Sequence, residues 1–348
     1  MSEASSGGVG PIRVQRGTTA TRVGAILGLV VLIGMASLPG WGDAGTLKLL
    51  IDFFTLLALA QMWNLLAGYA GLISIGQQAF IGLGAYGFYL FADLQGWPPL
   101  LAIAGVAVVV GVIALLTSLF VFRLEGGYFA VGTWVIAEVF RLIVTQNQPL
   151  GAGTGVSIQS LAPLGPSGRI SLTYWLALGV GAGSILFVAM VMRSRLGLAL
   201  RAIRDSEAGA QSLGVDIFRS KLVVYLIASI GCGVVGAVVY MNLLRIQPDA
   251  AFGVDWTARM IFIVIIGGLG SIEGPVIGAL IYFGLRQGLS DYGSAYLIVL
   301  GVVAVVVTMF VPRGIWGLIE RRLPLNLFGI QRRLIEPPGS GPAGPGRT

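Results

Sequence analysis

The sequence contains no histidine, a single cysteine and only two lysines, and charged residues make up 11% of its 348 residues. Without histidine there is no Ser-His-Asp triad, no histidine general base and no common type of zinc site. The one cysteine, Cys232, lies in an apolar run, and an intramolecular disulfide is excluded. Neither Lys48 nor Lys221 follows a glycine-rich loop, which excludes a P-loop for ATP. These absences argue against an enzyme, and no cofactor is expected.

Hydrophobic residues dominate what remains, at 56% of the chain with a mean hydropathy of +0.89. A soluble domain carries about 25% charged residues, so the solvent of this chain is lipid. A spanning helix needs about 20 mostly apolar residues. We therefore expect an all-α polytopic membrane protein. The predicted spans are residues 23–38, 47–67, 73–92, 99–122, 128–145, 172–192, 222–244 and 292–311, with a longer apolar stretch at 258–289.

The stretch 258–289 decides the number of spans, because glycines and a proline interrupt it at 267–275. Read as one span, it gives nine spans and places the two basic termini on opposite sides. Read as a hairpin of two short spans, it gives ten and places 16 of the 22 Arg and Lys residues on the cytoplasmic side. The positive-inside rule favours ten, with both termini cytoplasmic. The net charge of +7 then reflects topology, and no nucleic acid is expected as a partner.

This topology divides the chain into a cytoplasmic N-terminal arm (1–22), a transmembrane domain (23–312) and a cytoplasmic C-terminal tail (313–348). Two connections are too long to be simple turns. Residues 146–171 lie outside and are rich in glycine, proline and serine, whereas residues 193–220 lie inside and are amphipathic.

A polar set surrounds the glycines of the second and third spans. Interrupted membrane helices are tolerated where they line a cavity or are buried in protein, so this set is a candidate translocation path. Close helix packing, with amides as interhelical hydrogen-bonding groups, is the alternative. The set comprises Asn64, Ser74, Gln77 and Gln78, with Gln61 nearby.

Few ionisable residues lie within the predicted spans. Glu138 is added to the candidate path because an intramembrane charge is a functional candidate. Arg141 lies three residues later on the same helix face, so an ion pair that orients the helix is the alternative. The role of Asp52 stays open.

Two glycine-rich segments resemble each other, residues 71–75 (GLISI) and 268–272 (GLGSI). Transport folds often carry repeated halves with interrupted helices at corresponding positions. With 53 glycines in the chain, chance similarity is an equal alternative.

Residues 195–214 predict a cytoplasmic helix, a cap and a second helix. Asp205 or Ser206 caps the second helix, Glu207 lies in its first turn, and Gly214 suits a left-handed stop. A basic loop bound to anionic lipid is the alternative.

Six motifs in order now make the sequence resemble the permease subunits of branched-chain amino acid ABC importers, specifically the LivM-like branch. The resemblance covers about residues 47–311. The motifs are 64–80 (NLLAGYAGLISIGQQAF) with 82–86 (GLGAY), 126–130 (GGYFA), Glu138 with Arg141, 153–155 (GTG), 201–214 (RAIRDSEAGAQSLG), and 267–271 (GGLGS) with Gly274 and Pro275.

The resemblance implies a multi-pass inner-membrane permease that carries out no covalent chemistry. Its implied partners are a homologous permease subunit, as a heterodimer, two cytoplasmic ATP-binding subunits and an extracytoplasmic solute-binding protein. Branched-chain amino acids, or a related small polar solute such as an amide or urea, are the implied cargo. An ion- or proton-coupled secondary transporter is the alternative function.

The resemblance also assigns residues to surfaces. We expect Gly153, Thr154 and Gly155 on the side of the solute-binding protein. We expect Ala208, Gly209 and Ala210 to present a small-residue face to a groove of the ATPase, with Arg201 and Arg204 paired to acids at its rim. The sequence departs from the family at Gly209, where alanine is usual, and at Gln77, which is often histidine. The implied ATPase-coupling residues are Arg201, Arg204, Glu207, Ala208, Ala210 and Gly214.

Overall fold

The computed structural model describes residues 13–15, 19–289, 295–311, 314–322 and 333–335, which form helices joined by short turns and a few short strands. The described helices are α1 (Thr19–Ser37), α2 (Ala44–Trp63), α3 (Gln78–Phe88), α4 (Pro99–Val121), α5 (Gly127–Gln146), α6 (Gly165–Arg193), α7 (Arg195–Asp205), α8 (Glu207–Ser212), α9 (Ile217–Leu243), α10 (Pro248–Ala251), α11 (Asp255–Gly267), α12 (Glu273–Gly288), α13 (Ala295–Phe310) and α14 (Gly314–Arg322).

Two helices widen before they end. α2 continues as a π-helical turn through Asn64–Tyr69, and α3 continues in the same way through Tyr89–Leu94. Short 3-10 turns occupy Leu38–Gly40, Gln148–Leu150, Ala152–Thr154 and Ala162–Leu164.

Helix starts follow local chemistry. The carboxylate of Asp43 accepts a hydrogen bond from the backbone N–H of Thr46 at 3.0 Å and caps α2. α4 begins at Pro99, where the missing N–H costs nothing. α8 is capped by Ser206, whose Oγ accepts from the N–H of Gly209 at 3.1 Å, as the sequence predicted.

Within the described residues, six helical segments are long and apolar enough to cross a bilayer. The protein is therefore a multi-pass, helical membrane protein. The predicted total of ten spans also needs α1, α3, α12 and α13, which are shorter or only partly described, and it stays a prediction. The six are Ala44–Tyr69, Pro99–Val121, Gly127–Gln146, Ala162–Arg193, Ile217–Leu243 and Pro248–Gly267.

The centre of the fold is α2, which packs against α6, α9, α11 and α12, while α3 packs between α9, α4 and α5. Glycines allow the backbones of α3 and α9 to touch. A Cβ on Gly84 would stand 1.9 Å from the carbonyl oxygen of Gly233, and one on Gly236 would stand 2.3 Å from that of Ile81. Small residues at such crossings are typical of membrane helices.

The stretch 258–289 is broken, as the hairpin interpretation requires. α11 ends at Gly267 and α12 begins at Glu273, and the two helices pack against each other. Their backbones are in contact, because a Cβ on Gly278 would stand 1.9 Å from the carbonyl oxygen of Ile263.

The chain also contains short strands. β1 (Arg13–Gln15) pairs antiparallel with β4 (Arg333–Ile335), and β2 (Val156–Ser157) pairs antiparallel with β3 (Arg245–Ile246). Most of the arm 1–22 and of the tail 313–348 lies outside the described residues, as does the start of the predicted span 292–311.

Candidate functional site: two helix breaks and the loop beside them

The first helix break comprises residues 70–77, between the extension of α2 and the start of α3. Trp63 donates its indole N–H to the carbonyl of Ser74 at 2.9 Å, and the Ser74 hydroxyl accepts from the N–H of Gly76 at 3.2 Å. Gly76 lies against the backbone of Thr133 in α5. Ser74 and Gly76 are buried, whereas Ile73 is 56% exposed, so protein encloses only part of this break.

The second helix break comprises residues 268–272, between α11 and α12, and it lies against the α2 extension that precedes the first break. The buried amide of Asn64 donates to the carbonyl of Ser271 at 2.7 Å and accepts from the N–H of Gly270 at 2.9 Å. Gln61 donates to the carbonyl of Ile272 at 2.8 Å. The end of α2, just before the first break, is therefore bound to the backbone of the second break.

Two buried glutamines lie where α3 begins: Gln77 is the residue before the helix and Gln78 is its first residue. The Oε1 atom of Gln78 accepts a hydrogen bond from the hydroxyl of Thr257 in α11. Among the described residues, neither polar atom of the Gln77 side chain has a partner, nor has the Nε2 atom of Gln78. Buried polar groups need partners, so these amides are suited to hold water or a polar solute.

Glu138 is not brought together with this set. It forms the predicted ion pair with Arg141, which also pairs with Asp249 at 2.5 Å, a contact the sequence did not predict. Glu138 lies five residues beyond Thr133 on α5, about 7.5 Å further from the first break along the helix axis. Its side chain is 46% exposed.

The loop that joins α6 and α9 contains the two predicted helices, α7 and α8. Gly214 has φ +80°, the left-handed conformation expected at the helix stop. Glu207 pairs with Lys221 of α9 at 2.5 Å, which fastens the start of α8 to the membrane helix.

The three small residues expected to form one face of α8 do not lie on the same face. Ala208 and Gly209 are exposed, but Ala210 is 2% exposed and lies buried within the chain. Successive helical residues are 100° apart, so three in a row cannot share one surface. The expectation that Ala210 presents itself to an ATPase groove is therefore wrong.

Arg204 also lies differently from the expectation. Its Nη1 atom donates to the carbonyl of Gly68 at 2.5 Å, at the end of the α2 extension. The sequence carried no signal for a contact between residues 136 positions apart.

At the end of α6 opposite to the loop 193–220, residues 146–171 are held in place by contacts with other parts of the chain. Gly155 has φ +80° and lies against the carbonyl of Ile246, where a Cβ would be 2.2 Å away, so glycine is required there. The carboxylate of Asp93 accepts from the N–H groups of Gln159 and Ser160 at 2.5 and 2.8 Å, an anchor that sequence reasoning missed. Gly153 and Thr154 stay exposed.

Interrupted helices that are hydrogen-bonded to each other within a multi-pass helical membrane protein are typical of membrane transport proteins. The chain belongs to the family described as branched-chain amino acid transport system / permease component, whose model matches residues 45–311. This confirms the resemblance seen in the sequence.

Individual relatives agree with the family. The chain is 25% identical over 328 residues to the high-affinity branched-chain amino acid transport system permease protein LivM of Escherichia coli (strain K12), covering 86% of this chain and 76% of the relative. It is 25% identical to the protein of the same name from Salmonella typhimurium, covering 76% and 68%. It is 30% identical to the ribose import permease protein RbsC of Escherichia coli (strain K12), but over 36% and 42% of the two chains. No solved structure matches the chain.

Proposed function

We propose that this protein is the permease subunit of an ABC importer and moves branched-chain amino acids, or a related small polar solute such as an amide or urea, across the inner membrane. The observation that carries the proposal is the family match across residues 45–311. The relatives named for branched-chain amino acids cover more of the chain than the ribose permease, which favours the amino-acid class of cargo.

ATP hydrolysis in two cytoplasmic partner subunits drives this transport through the loop 193–220. A coupling element has to be rigid, since a flexible loop absorbs motion. The Ser206 cap and the Glu207–Lys221 pair supply that rigidity, and Ala208 remains available to the partner. Arg201, Arg204, Glu207, Ala208, Ala210 and Gly214 are the proposed coupling residues, with Ala210 acting from inside the chain.

The proposed topology has ten spans, with both termini and the loop 193–220 in the cytoplasm and residues 146–171 outside. The Arg and Lys distribution supports it. The pairing of β1 with β4 also supports it, because it brings the arm and the tail to the same end of the molecule.

The translocation path runs between this subunit and a homologous permease and includes Asn64, Ser74, Gln77, Gln78 and Glu138. Charged side chains on a membrane helix avoid lipid and face a cavity or another protein. The half-exposed Glu138–Arg141 pair on α5 supports a partner or an aqueous path on that face.

An extracytoplasmic solute-binding protein docks at Gly153, Thr154 and Gly155. The exposed positions 153 and 154 lie on a segment that Asp93 and β3 hold in place. A fixed, small-residue surface permits close backbone approach.

Transport in reconstituted vesicles tests the function. The permease is co-purified with its ATP-binding and permease partners, and uptake of labelled leucine is followed with the solute-binding protein present. We expect uptake with ATP, and none when hydrolysis-deficient ATP-binding subunits replace the parent ones. Uptake driven by an ion gradient alone would instead identify a secondary transporter.

Cysteine labelling tests the topology. In a Cys232→Ala background, Gln159→Cys and Leu213→Cys place single thiols on exposed positions at opposite ends of the molecule. A membrane-impermeant maleimide added to intact cells stripped of their outer membrane should label position 159 and leave position 213 unlabelled until lysis. The reverse pattern would invert the topology.

A further inference from the structure

Arg204, in the last turn of α7, contacts the end of the α2 extension and the second helix break. Its Nη1 atom donates to the carbonyl of Gly68 at 2.5 Å. The same atom is 2.4 Å from the point where a Cβ on Gly270 would stand, so the guanidinium lies directly against the backbone of the second break. One side chain therefore bridges the cytoplasmic loop, the end of α2 and the α11–α12 turn.

The carbonyl of Gly68 is available because the helix ends irregularly. The N–H of Leu72, four residues later, donates to the carbonyl of Leu66 at 3.1 Å instead. The last carbonyls of a helix lack intrahelical partners and form the negative end of its dipole. A guanidinium is a favourable partner at that position.

The end of α2 and the second break are bound to each other independently of Arg204. The amides of Asn64 and Gln61 hold the backbone of residues 270–272 to α2. A displacement of the α2 extension therefore displaces the second break. Arg204 itself is an exposed residue whose tip reaches inward, so it connects the loop to this unit at the surface.

We propose that Arg204 is a positioning residue that passes movement of the α7–α8 loop to the α2 extension and the second helix break, and so moves the proposed path at Asn64. The proposal rests on the proposed function, since it names the link through which ATP hydrolysis in partner subunits acts. It differs from a rim contact with the ATPase because the partner atom of Arg204 is a carbonyl of this same chain.

The first test measures solute molecules transported per ATP hydrolysed in the reconstituted complex. Arg204→Met keeps an unbranched stem and removes the guanidinium donor, and we expect the ratio to fall about tenfold, as for the loss of one charge-assisted hydrogen bond. Arg204→Lys retains a charged donor and should restore most of the parent ratio. Arg195→Met is the matched control, exposed in the same helix about 13 Å away along its axis, and should leave the ratio at the parent value. An unchanged ratio in Arg204→Met overturns the proposal.

The second test needs no transport and separates this proposal from the proposed function. Spin labels at Leu198→Cys in α7 and Leu269→Cys in the second break, both exposed positions, report the distance between loop and break in a Cys232→Ala background. We expect a narrow distribution in the parent, a broad one in Arg204→Met, and a narrow one again in Arg204→Lys. Distance distributions of equal width in the parent and both variants would overturn the proposal. A parent that shows the link but no ATP-dependent uptake contradicts the proposed function alone.

Discussion

Helices α2 and α4 have similar lengths and opposite surroundings. In the apolar stretch of α2 with its extension, 78% of the residues are buried, whereas in that of α4 only 28% are. Yet α4 is the more hydrophobic of the two. In water the more hydrophobic helix would be the buried one. In a bilayer the order reverses, because lipid accepts apolar side chains as readily as the protein interior does.

The difference explains where the functional groups lie. Polar side chains on α2, such as Gln61 and Asn64, point into the protein and find backbone partners there. On α4, Thr117 and Ser118 are buried and bond to carbonyls of their own helix, while Leu116 and Phe120 are exposed. The more buried of the two helices therefore carries the candidate site.

The largest expected effect on stability comes from Asn64→Leu, at the first residue of the α2 extension. The change removes two hydrogen bonds and takes the Asn64 partner from a partly buried N–H and a partly buried carbonyl of the second break. Each such group costs about 1–3 kcal/mol, so we expect the free energy of unfolding in detergent to fall by about 2–4 kcal/mol. Denaturant titration of the purified protein measures it.

The control for Asn64→Leu lies on α4. Leu116→Ala truncates a side chain that is 56% exposed, and the expected loss is less than about 0.5 kcal/mol. Equal losses for the two variants would show that burial in this structure does not describe the folded protein.

Sequence reasoning predicted the helical framework well, because its signals are local. Apolar runs, Ser206 as a cap and Gly214 as a stop each act within a few residues. Hydropathy does not report which face of a span meets lipid, so the central position of α2 could not be predicted. The number of spans also depends on helices too short for composition to settle.

The next largest effect on stability comes from a glycine at a close helix crossing, compared with a glycine that contacts no other helix. Gly84→Ala places a methyl group 1.9 Å from the carbonyl oxygen of Gly233 and forces α3 and α9 apart, at a cost of about 1–3 kcal/mol. Gly179→Ala in α6 is the matched control, since its Cβ meets nothing within 4 Å and alanine is the better helix former. Thermal unfolding should separate the two variants. A Gly84→Ala protein as stable as the parent would contradict the close crossing.

The site was less predictable than the fold because its contacts are distant in sequence. Asn64 was identified by its polarity alone, but its partners lie 206 and 207 residues away. Nothing near Arg204 or Asp93 indicates Gly68 or Ser160 as partners. The error at Ala210 has another cause, since residue size was used where helical direction decides exposure.

The smallest expected effect on stability concerns the cap at the start of α2, and it depends on pH. Hydrogen bonds from the hydroxyl and the N–H of Thr46 lower the pKa of Asp43 below its ordinary value of 3.8. A carboxyl whose pKa is lowered on folding stabilises the fold above that ordinary value, and the contribution is lost as the pH falls through the folded pKa.

Asp43→Asn keeps an oxygen that caps α2 but does not titrate in this range. We expect the melting temperature of the parent to fall relative to that of Asp43→Asn only below about pH 4, and by less than Gly84→Ala causes, because the carboxylate is fully exposed. Leu116→Ala on α4, a helix that begins at Pro99 without a titrating cap, keeps the Asp43 carboxylate, so its melting temperature should show the same pH dependence as that of the parent. A parent that gains stability relative to Asp43→Asn as the pH falls below 4 would have the wrong sign and would contradict a lowered pKa for the Asp43 carboxyl.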